Sequence, residues 1–235
     1  RLLEHPLQEL LDTGEPDFPF CICWANENWT RRWDGKDKEI LVQQEYSEED
    51  DRSHIRTLIP IFKDPRYIRI NGKPLFLVYR TSDLPDPART AEIWREEARN
   101  AGLGELHLAR VEGWGKVDPR DIGFDSAMEF APDWEHRGHQ LTADDPRLPE
   151  DASDELREAC KDNYIHYYSD MADAMMSKHR PPGKRFRCVT PCWDNWARRN
   201  RQAAIFLDPD PRKYQDWLKR MITETNGRMY GEERV

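Results

Sequence analysis

Residues 18–35 read F-P-F-C-I-C-W-A-N-E-N-W-T-R-R-W-D-G. The first half has strand character. Phe18, Phe20, Cys21, Ile22, Cys23 and Trp24 are apolar on both faces, as a central parallel strand is when helices cover both sides. The second half turns polar at once. Asn26, Glu27, Asn28, Trp29, Thr30, Arg31, Arg32, Trp33 and Asp34 place amides, carboxylates, guanidinium groups and indoles in consecutive positions. A saccharide cleft uses that mixture: an indole covers the C–H face of a pyranose while polar groups reach its hydroxyls. A loop folded over a barrel rim would use it too, with the tryptophans as packing and Arg31 or Arg32 stacked on them. The window alone leaves both readings open.

Working outward, the same alternation recurs. Leu3, Leu7, Leu10 and Leu11 have helical spacing ahead of the window, and Ile40 to Gln43 is a short extended piece behind it. Ser47 caps a helix whose buried stripe is Ile55, Leu58, Ile59 and Phe62, with Pro60 to kink or end it. Tyr67 to Ile70 and the turn Asn71-Gly72 feed a strand at Leu75 to Tyr79. A helix over 87–101 precedes strands at Leu106 to Val111 and Ser126 to Phe130. Residues 133–152 are an irregular excursion. The spacing then predicts one long helix over 153–178, a break at Pro181-Pro182-Gly183 and a strand at Phe186 to Trp193. The last helix starts near Asp210-Pro211, and Glu232 to Val235 approaches another strand.

Strands that alternate with helices imply a parallel sheet with right-handed crossovers. The unusual residues cluster just after strand ends, at 26–33, 79–83, 112–114, 129 and 193–199. In a (β/α)₈ barrel those loops share one face and build the site. The expectation is therefore an α/β fold of the (β/α)₈ TIM-barrel type, a single catalytic-type domain over residues 1–235. Five strands and an incipient sixth fall short of eight, so the barrel is expected to be incomplete, without its first and last strand units.

Composition narrows the function. With 37% hydrophobic residues among 235 the chain can bury a core, and a net charge of −9 argues against a dedicated nucleic-acid binder. No apolar run reaches membrane-spanning length and no signal peptide is visible. The chain starts at Arg1, without a methionine, as a fragment of a longer protein would. Cys21, Cys23, Cys160, Cys188 and Cys192 do not make a secreted-type disulfide framework, so a reducing, cytoplasmic setting is expected. The cysteine pairs lack the C-x-x-C spacing of structural zinc. The histidines show no ligand spacing, and Asp210 of Asp208-Pro209-Asp210 reads better as a helix cap than as part of a D-x-D metal motif. There is neither a G-x-G-x-x-G after a strand nor a P-loop. No metal and no cofactor are expected.

Glycosidic chemistry generally needs two carboxyl groups flanking the scissile bond. At strand ends these are Glu27, oriented by its asparagine neighbours, and Glu129; Glu112 reads as a salt-bridge partner. Trp193, Asp194, Asn195 and Trp196 repeat the theme of the opening window. The candidate set is Glu27 and Glu129 as catalytic groups. Trp24, Asn26, Asn28, Trp29, Arg31, Arg32, Trp33, Tyr79, Arg80, Trp193, Asn195 and Trp196 are its candidate saccharide contacts. His136 and His139 would either line a cleft or be solvated.

Four segments carry a resemblance: C-W-A-N-E-N-W-T-R-R-W-D-G at 23–35, F-K-D-P-R-Y-I-R-I-N-G-K-P-L-F-L-V-Y-R at 62–80, A-M-E-F-A-P at 127–132 and P-C-W-D-N-W-A-R-R at 191–199. Together they resemble the WbsX-type proteins of bacterial polysaccharide gene clusters, labelled glycosyltransferases and related to glycoside hydrolase family 99. The resemblance implies a barrel acting on an oligo- or polysaccharide of the bacterial surface. It also implies that the chain is incomplete and that the main catalytic carboxylates lie beyond Val235. Glu27 resembles a further carboxylate of the family 99 cleft, where the sugar 2-hydroxyl is thought to participate. Three functions stay open: a carboxylate-based hydrolase or transglycosidase, which suits a barrel best; a sugar-nucleotide-dependent transferase, with Arg31, Arg32, Arg198 and Arg199 on the diphosphate; and a non-catalytic carbohydrate-binding barrel.

Overall fold

The computed structural model describes residues 5–31, 36–113, 115, 117–199 and 201–228. Arg32, Trp33, Trp114 and the strand expected at 232–235 lie outside them. The elements in chain order are α1 (His5–Thr13), β1 (Ile22–Trp24), β2 (Trp29–Arg31), β3 (Lys36–Val42), α2 (Glu48–Phe62), β4 (Arg69–Ile70), β5 (Lys73–Val78), α3 (Pro87–Asn100), β6 (His107–Val111) and β7 (Ser126–Met128). They continue with α4 (Asp154–Asp162), β8 (Tyr164–Tyr167), α5 (Tyr168–Ser177), β9 (Arg185–Phe186), α6 (Trp196–Arg199), β10 (Ala204–Leu207) and α7 (Pro211–Arg228).

The central sheet has the order β1-β5-β6-β7-β9, parallel throughout, with β4 antiparallel on β5. It is a mixed α/β fold with a parallel central sheet and helices, consistent with a (β/α)₈-like architecture. Local chemistry sets the elements. Ser47 Oγ accepts from Asp50 N at 3.1 Å to start α2, and Asp210 Oδ1 accepts from Arg212 N at 2.8 Å to start α7. Asn71 and Gly72, at φ 52° and 74°, make the tight turn between β4 and β5. β5 is buried on both faces. Phe76 and Val78 pack with Ile55, Phe62 and Trp94 on the helix side, and Leu75 and Leu77 with Ala109, Val111 and Phe186 on the other.

Three expectations need correction. The helix predicted over 153–178 is two helices separated by β8, which pairs in parallel with β10, a strand the sequence reading left out. Asn163 stands between them in extended backbone. Its Nδ2 donates to Ala159 O at 2.9 Å and its Oδ1 accepts from Ala203 N at 3.0 Å, so one side chain ends α4 and docks the chain entering β10. The strand predicted at 186–193 is paired only at Arg185–Phe186; the chain then crosses to β10, where Trp193 O accepts from Phe206 N at 3.1 Å. Finally, β1 is not a central strand sealed on both faces. Among the described residues it pairs on one side with β5, and Phe18 is 70% exposed.

These departures share a location. The β2–β3 hairpin lies between β1 and α2, residues 129–167 between β7 and α5, and residues 187–207 between β9 and α7. Each insertion follows the C-terminal end of a central strand, the end where barrels keep their chemistry. The latter two converge on β8 and β10, whose own core is Leu141, Leu148, Cys160 and Ile165. Among the described residues no helix is long and apolar enough to cross a membrane.

Candidate functional site

The site begins where β1 and β5 end. Asn26 is completely buried. Its Nδ2 donates to Arg80 O at 2.8 Å and its Oδ1 accepts from Arg80 N at 2.8 Å, so the side chain pairs with the main chain of the neighbouring strand end as another strand would. Tyr46 adds two contacts, receiving from Asn26 Nδ2 at 3.2 Å and donating to Asn26 O at 2.6 Å. The backbone so fixed sets the Arg80 guanidinium against Glu27, with Nη2 2.5 Å from Oε1.

Arg80 leads into a cavity of about 370 Å³. Four rings from separate strand ends and insertions run along its wall. Tyr79 and Phe130 have centroids 5.9 Å apart, Phe130 and Trp134 6.1 Å, and Trp134 and Trp193 6.1 Å, the last pair edge to face. Arg80, Arg137, Arg198 and Arg199 line the same space together with Asn195. Arg137 stacks over the Tyr164 ring at 4.8 Å and donates through Nε to Trp134 O at 2.9 Å.

Trp134 also lines a second cavity of about 670 Å³, placed over the ends of β6 and β7. Its polar wall includes Glu112, Asp133, His136, Lys178 and Arg185. Glu112 and Arg185 form a forked pair, with Nε 2.9 Å and 2.8 Å from the two carboxylate oxygens. Asp133 accepts from Glu135 N at 2.9 Å, lies 2.5 Å from Lys178 Nζ, and faces His136 Nδ1 at 3.1 Å. Burial alone would raise the Asp133 pKa; the Lys178 ammonium, the Glu135 amide and His136 together outweigh it and hold the carboxyl below its usual range. An ionised Asp133 can only accept, so Nδ1 of His136 carries the proton and the Nε2 lone pair is the basic position.

Glu129 sits deeper. It is 3% exposed, 3.1 Å from Arg187 Nε and 3.6 Å from Lys178 Nζ, and it accepts from Cys188 N at 3.2 Å. Burial raises its pKa despite both cations. Lys178 therefore links a buried carboxylate to the Asp133 on the wall.

Of the residues singled out from sequence, Tyr79, Arg80, Trp193 and Asn195 come together on the first cavity. Asn195 also accepts from Ala204 N at 2.8 Å. The others are placed differently. Trp24 turns toward the helices, stacked on His54 at 4.3 Å, because its position on β1 faces α2 and α3. Asn26 has spent its amide on Arg80. Asn28 is exposed and accepts from Gln44 N at 2.7 Å, closing the β2–β3 hairpin. Trp29 and Arg31 lie on that hairpin, Trp29 48% exposed and Arg31 3.3 Å from Glu39. Trp196 is 43% exposed at the start of α6. Glu129 is walled off by Arg187 and Lys178, and Glu27 is not on the wall of either cavity. Arg32 and Trp33 lie outside the described residues.

Phe130, Asp133, Trp134, His136 and Arg137 were missed as a group, although His136 was noted as a possible cleft residue. The available signal was position: aromatic, acidic and imidazole groups in a long insertion directly after a short apolar strand. Among the described residues no group of three or more His, Cys, Asp or Glu could hold a metal ion.

The geometry can be set beside known proteins. Two curated relatives, each called "Uncharacterized protein WxcX", come from Xanthomonas campestris pv. campestris strains ATCC 33913 and B100. Each is 38% identical over 221 residues, 94% of this chain. The chain spans 30% of the length of those relatives. A solved structure of a "Glycoside hydrolase-like protein" superposes on 81% of this chain and 51% of that one, at 13% identity and a TM-score of 0.45, too slight a likeness to bear on activity. The family model described as "Glycosyltransferase WbsX" matches residues 1–235, and the chain belongs to that family.

Proposed function

We propose that this chain forms part of the catalytic barrel of a carbohydrate-active enzyme that acts on glycosidic bonds of a bacterial surface polysaccharide. The two cavities that meet at Trp134 are its saccharide cleft. The arc of Tyr79, Phe130, Trp134 and Trp193 carries this reading. Successive rings in one wall offer apolar platforms to successive sugars, and membership of a family described as glycosyltransferases supports a saccharide substrate.

The adjoining lobe supplies proton handling. Asp133 fixes the tautomer of His136, and His136 Nε2 takes a proton from an attacking hydroxyl or water, or returns one to a leaving oxygen. Such a step contributes roughly 10²–10⁴-fold. Glu27, paired with Arg80 beside the first cavity, contributes negative charge as the glycosidic bond opens. A hydrolase or transglycosidase fits better than a sugar-nucleotide transferase because, among the described residues, no strand end carries a glycine-rich phosphate cradle.

The test is turnover of surface-polysaccharide oligosaccharides by the full-length protein. His136→Gln should lower kcat by roughly 100-fold and Glu27→Gln by roughly tenfold, while Trp134→Ala should act mainly on KM, each with an unchanged melting temperature. Folded variants with parental kinetics would remove these residues from the site. Tight, saturable binding of a nucleoside diphosphate would move the reading to the transferase.

A further inference from the structure

The 370 Å³ cavity has a charge that the saccharide reading does not by itself require. Its wall holds Arg80, Arg137, Arg198 and Arg199, and none of the described residues that line it is Asp or Glu, in a chain of net charge −9. Glu27 offsets one of the four through Arg80. Neutral glycans are held by amides, carboxylates and rings. Guanidinium groups that line one small space repel one another, and an anion in that space relieves the repulsion.

One of these groups is anchored by something other than a carboxylate: Arg137 is held by the face of Tyr164 and the carbonyl of Trp134. A guanidinium has five N–H donors, and one bond to a carbonyl leaves most of them for a ligand. Fixed in place by a ring, it meets a carboxylate or phosphate in the two-pronged geometry that Arg favours, with little ordering cost. The neighbouring lobe is mixed in charge: Glu112 is paired there with Arg185, and Asp133 with Lys178. The cationic surplus is therefore confined to the aromatic half of the cleft.

We propose that the cationic half is a subsite for a sugar carrying an oxyanion, so that the substrate is an acidic saccharide rather than a neutral one. The oxyanion is either the carboxylate of a uronic acid in the glycan or the phosphate of a phosphorylated sugar or sugar nucleotide. This rests on the saccharide-cleft reading above and adds charge selectivity to it.

The experiment is calorimetry on the full-length protein with three probes: a glucuronate-containing oligosaccharide, its carboxyl-reduced neutral counterpart, and uridine diphosphate. The acidic oligosaccharide should bind about tenfold or more tighter than the neutral one. That preference should shrink with added salt and vanish in Arg137→Gln/Arg198→Gln, whose melting temperature shows that it is folded. Uridine diphosphate bound with the same arginine and salt dependence, in place of the oligosaccharide, supports the oxyanion subsite and assigns it to a phosphate. Equal affinity for the acidic and neutral oligosaccharides overturns the charge selectivity and leaves the saccharide cleft standing. Binding of none of the three overturns both.

Discussion

Replacing Asn26 by alanine separates the two roles that a polar residue at a strand end can have. The side chain is fully buried and makes three hydrogen bonds that alanine cannot: to Arg80 O at 2.8 Å, from Arg80 N at 2.8 Å, and to Tyr46 Oη at 3.2 Å. Each such bond contributes about 1 kcal/mol net, and a buried partner left unpaired costs about 1–3 kcal/mol. Loss of all three comes to about 3 kcal/mol. A domain of this size loses about 2–4 °C of melting temperature per kcal/mol, so Asn26→Ala should melt about 6–12 °C lower. Saccharide binding should fall as well, because Arg80 is aimed by the backbone that Asn26 holds. Asn26→Asp is the sharper control. It keeps the acceptor for Arg80 N but turns a carboxylate oxygen toward Arg80 O. It should therefore be as damaging as alanine at pH 8 and partly rescued at pH 4.5, where protonation restores a donor. Thermal and urea unfolding give the stabilities and calorimetry gives the affinities. If Asn26→Ala melts within about 2 °C of the parent while binding is lost, the amide serves the ligand and the strut assignment is wrong.

Glu129→Ala should destabilise by roughly 3–5 kcal/mol in urea unfolding, since it strands the buried Arg187 guanidinium; a cost under about 1 kcal/mol would mean that Arg187 has other compensation. Gly138→Ala should cost about 2–4 kcal/mol, because φ is +76° and an added Cβ would sit 2.7 Å from the Asp170 backbone; thermal melts indistinguishable from the parent would refute the close approach. Burial lowers the His166 pKa from 6.5 to about 4, outweighing the bond that its Nδ1 donates to His139 O at 2.9 Å, which favours the charged form. The unfolded chain then binds the extra proton, so the stability due to this group is complete above pH 6.5 and is lost as pH falls from 6.5 toward 4. His166→Gln should flatten that part of the stability profile, and an unchanged slope would exclude His166 as its source.

Why some of this was legible and some was not has a common cause. β5, β6 and β7 were readable because each is a short apolar run with its own boundaries, and the Asn71-Gly72 turn and the Ser47 and Asp210 caps are local chemistry. β8 was not. Tyr164 to Tyr167 continue the helical spacing of their neighbours, and they become a strand because Ala204 to Leu207, far along the chain, pair with them. The asparagines show the same limit at the level of single side chains. Asn26, Asn163 and Asn195 each give an amide to the main chain of a neighbouring strand or its entry, at Arg80, Ala203 and Ala204. In sequence, an amide that pins two strands and an amide that reads a sugar hydroxyl are the same residue in the same place, just after an apolar run. What tells them apart is the partner, and the partner is set by the fold. The rings and guanidinium groups behave differently, since a strand edge gives them no comparable main-chain role. Tyr79, Arg80, Trp193 and the 130–137 insertion therefore gather on one cavity, while the amide-rich part of residues 18–35 holds the framework that lets them do so. The stability of a cleft built this way should tolerate exchange of its rings and guanidinium groups far better than exchange of its asparagines, and that difference distinguishes a scaffold from the ligand contacts it supports.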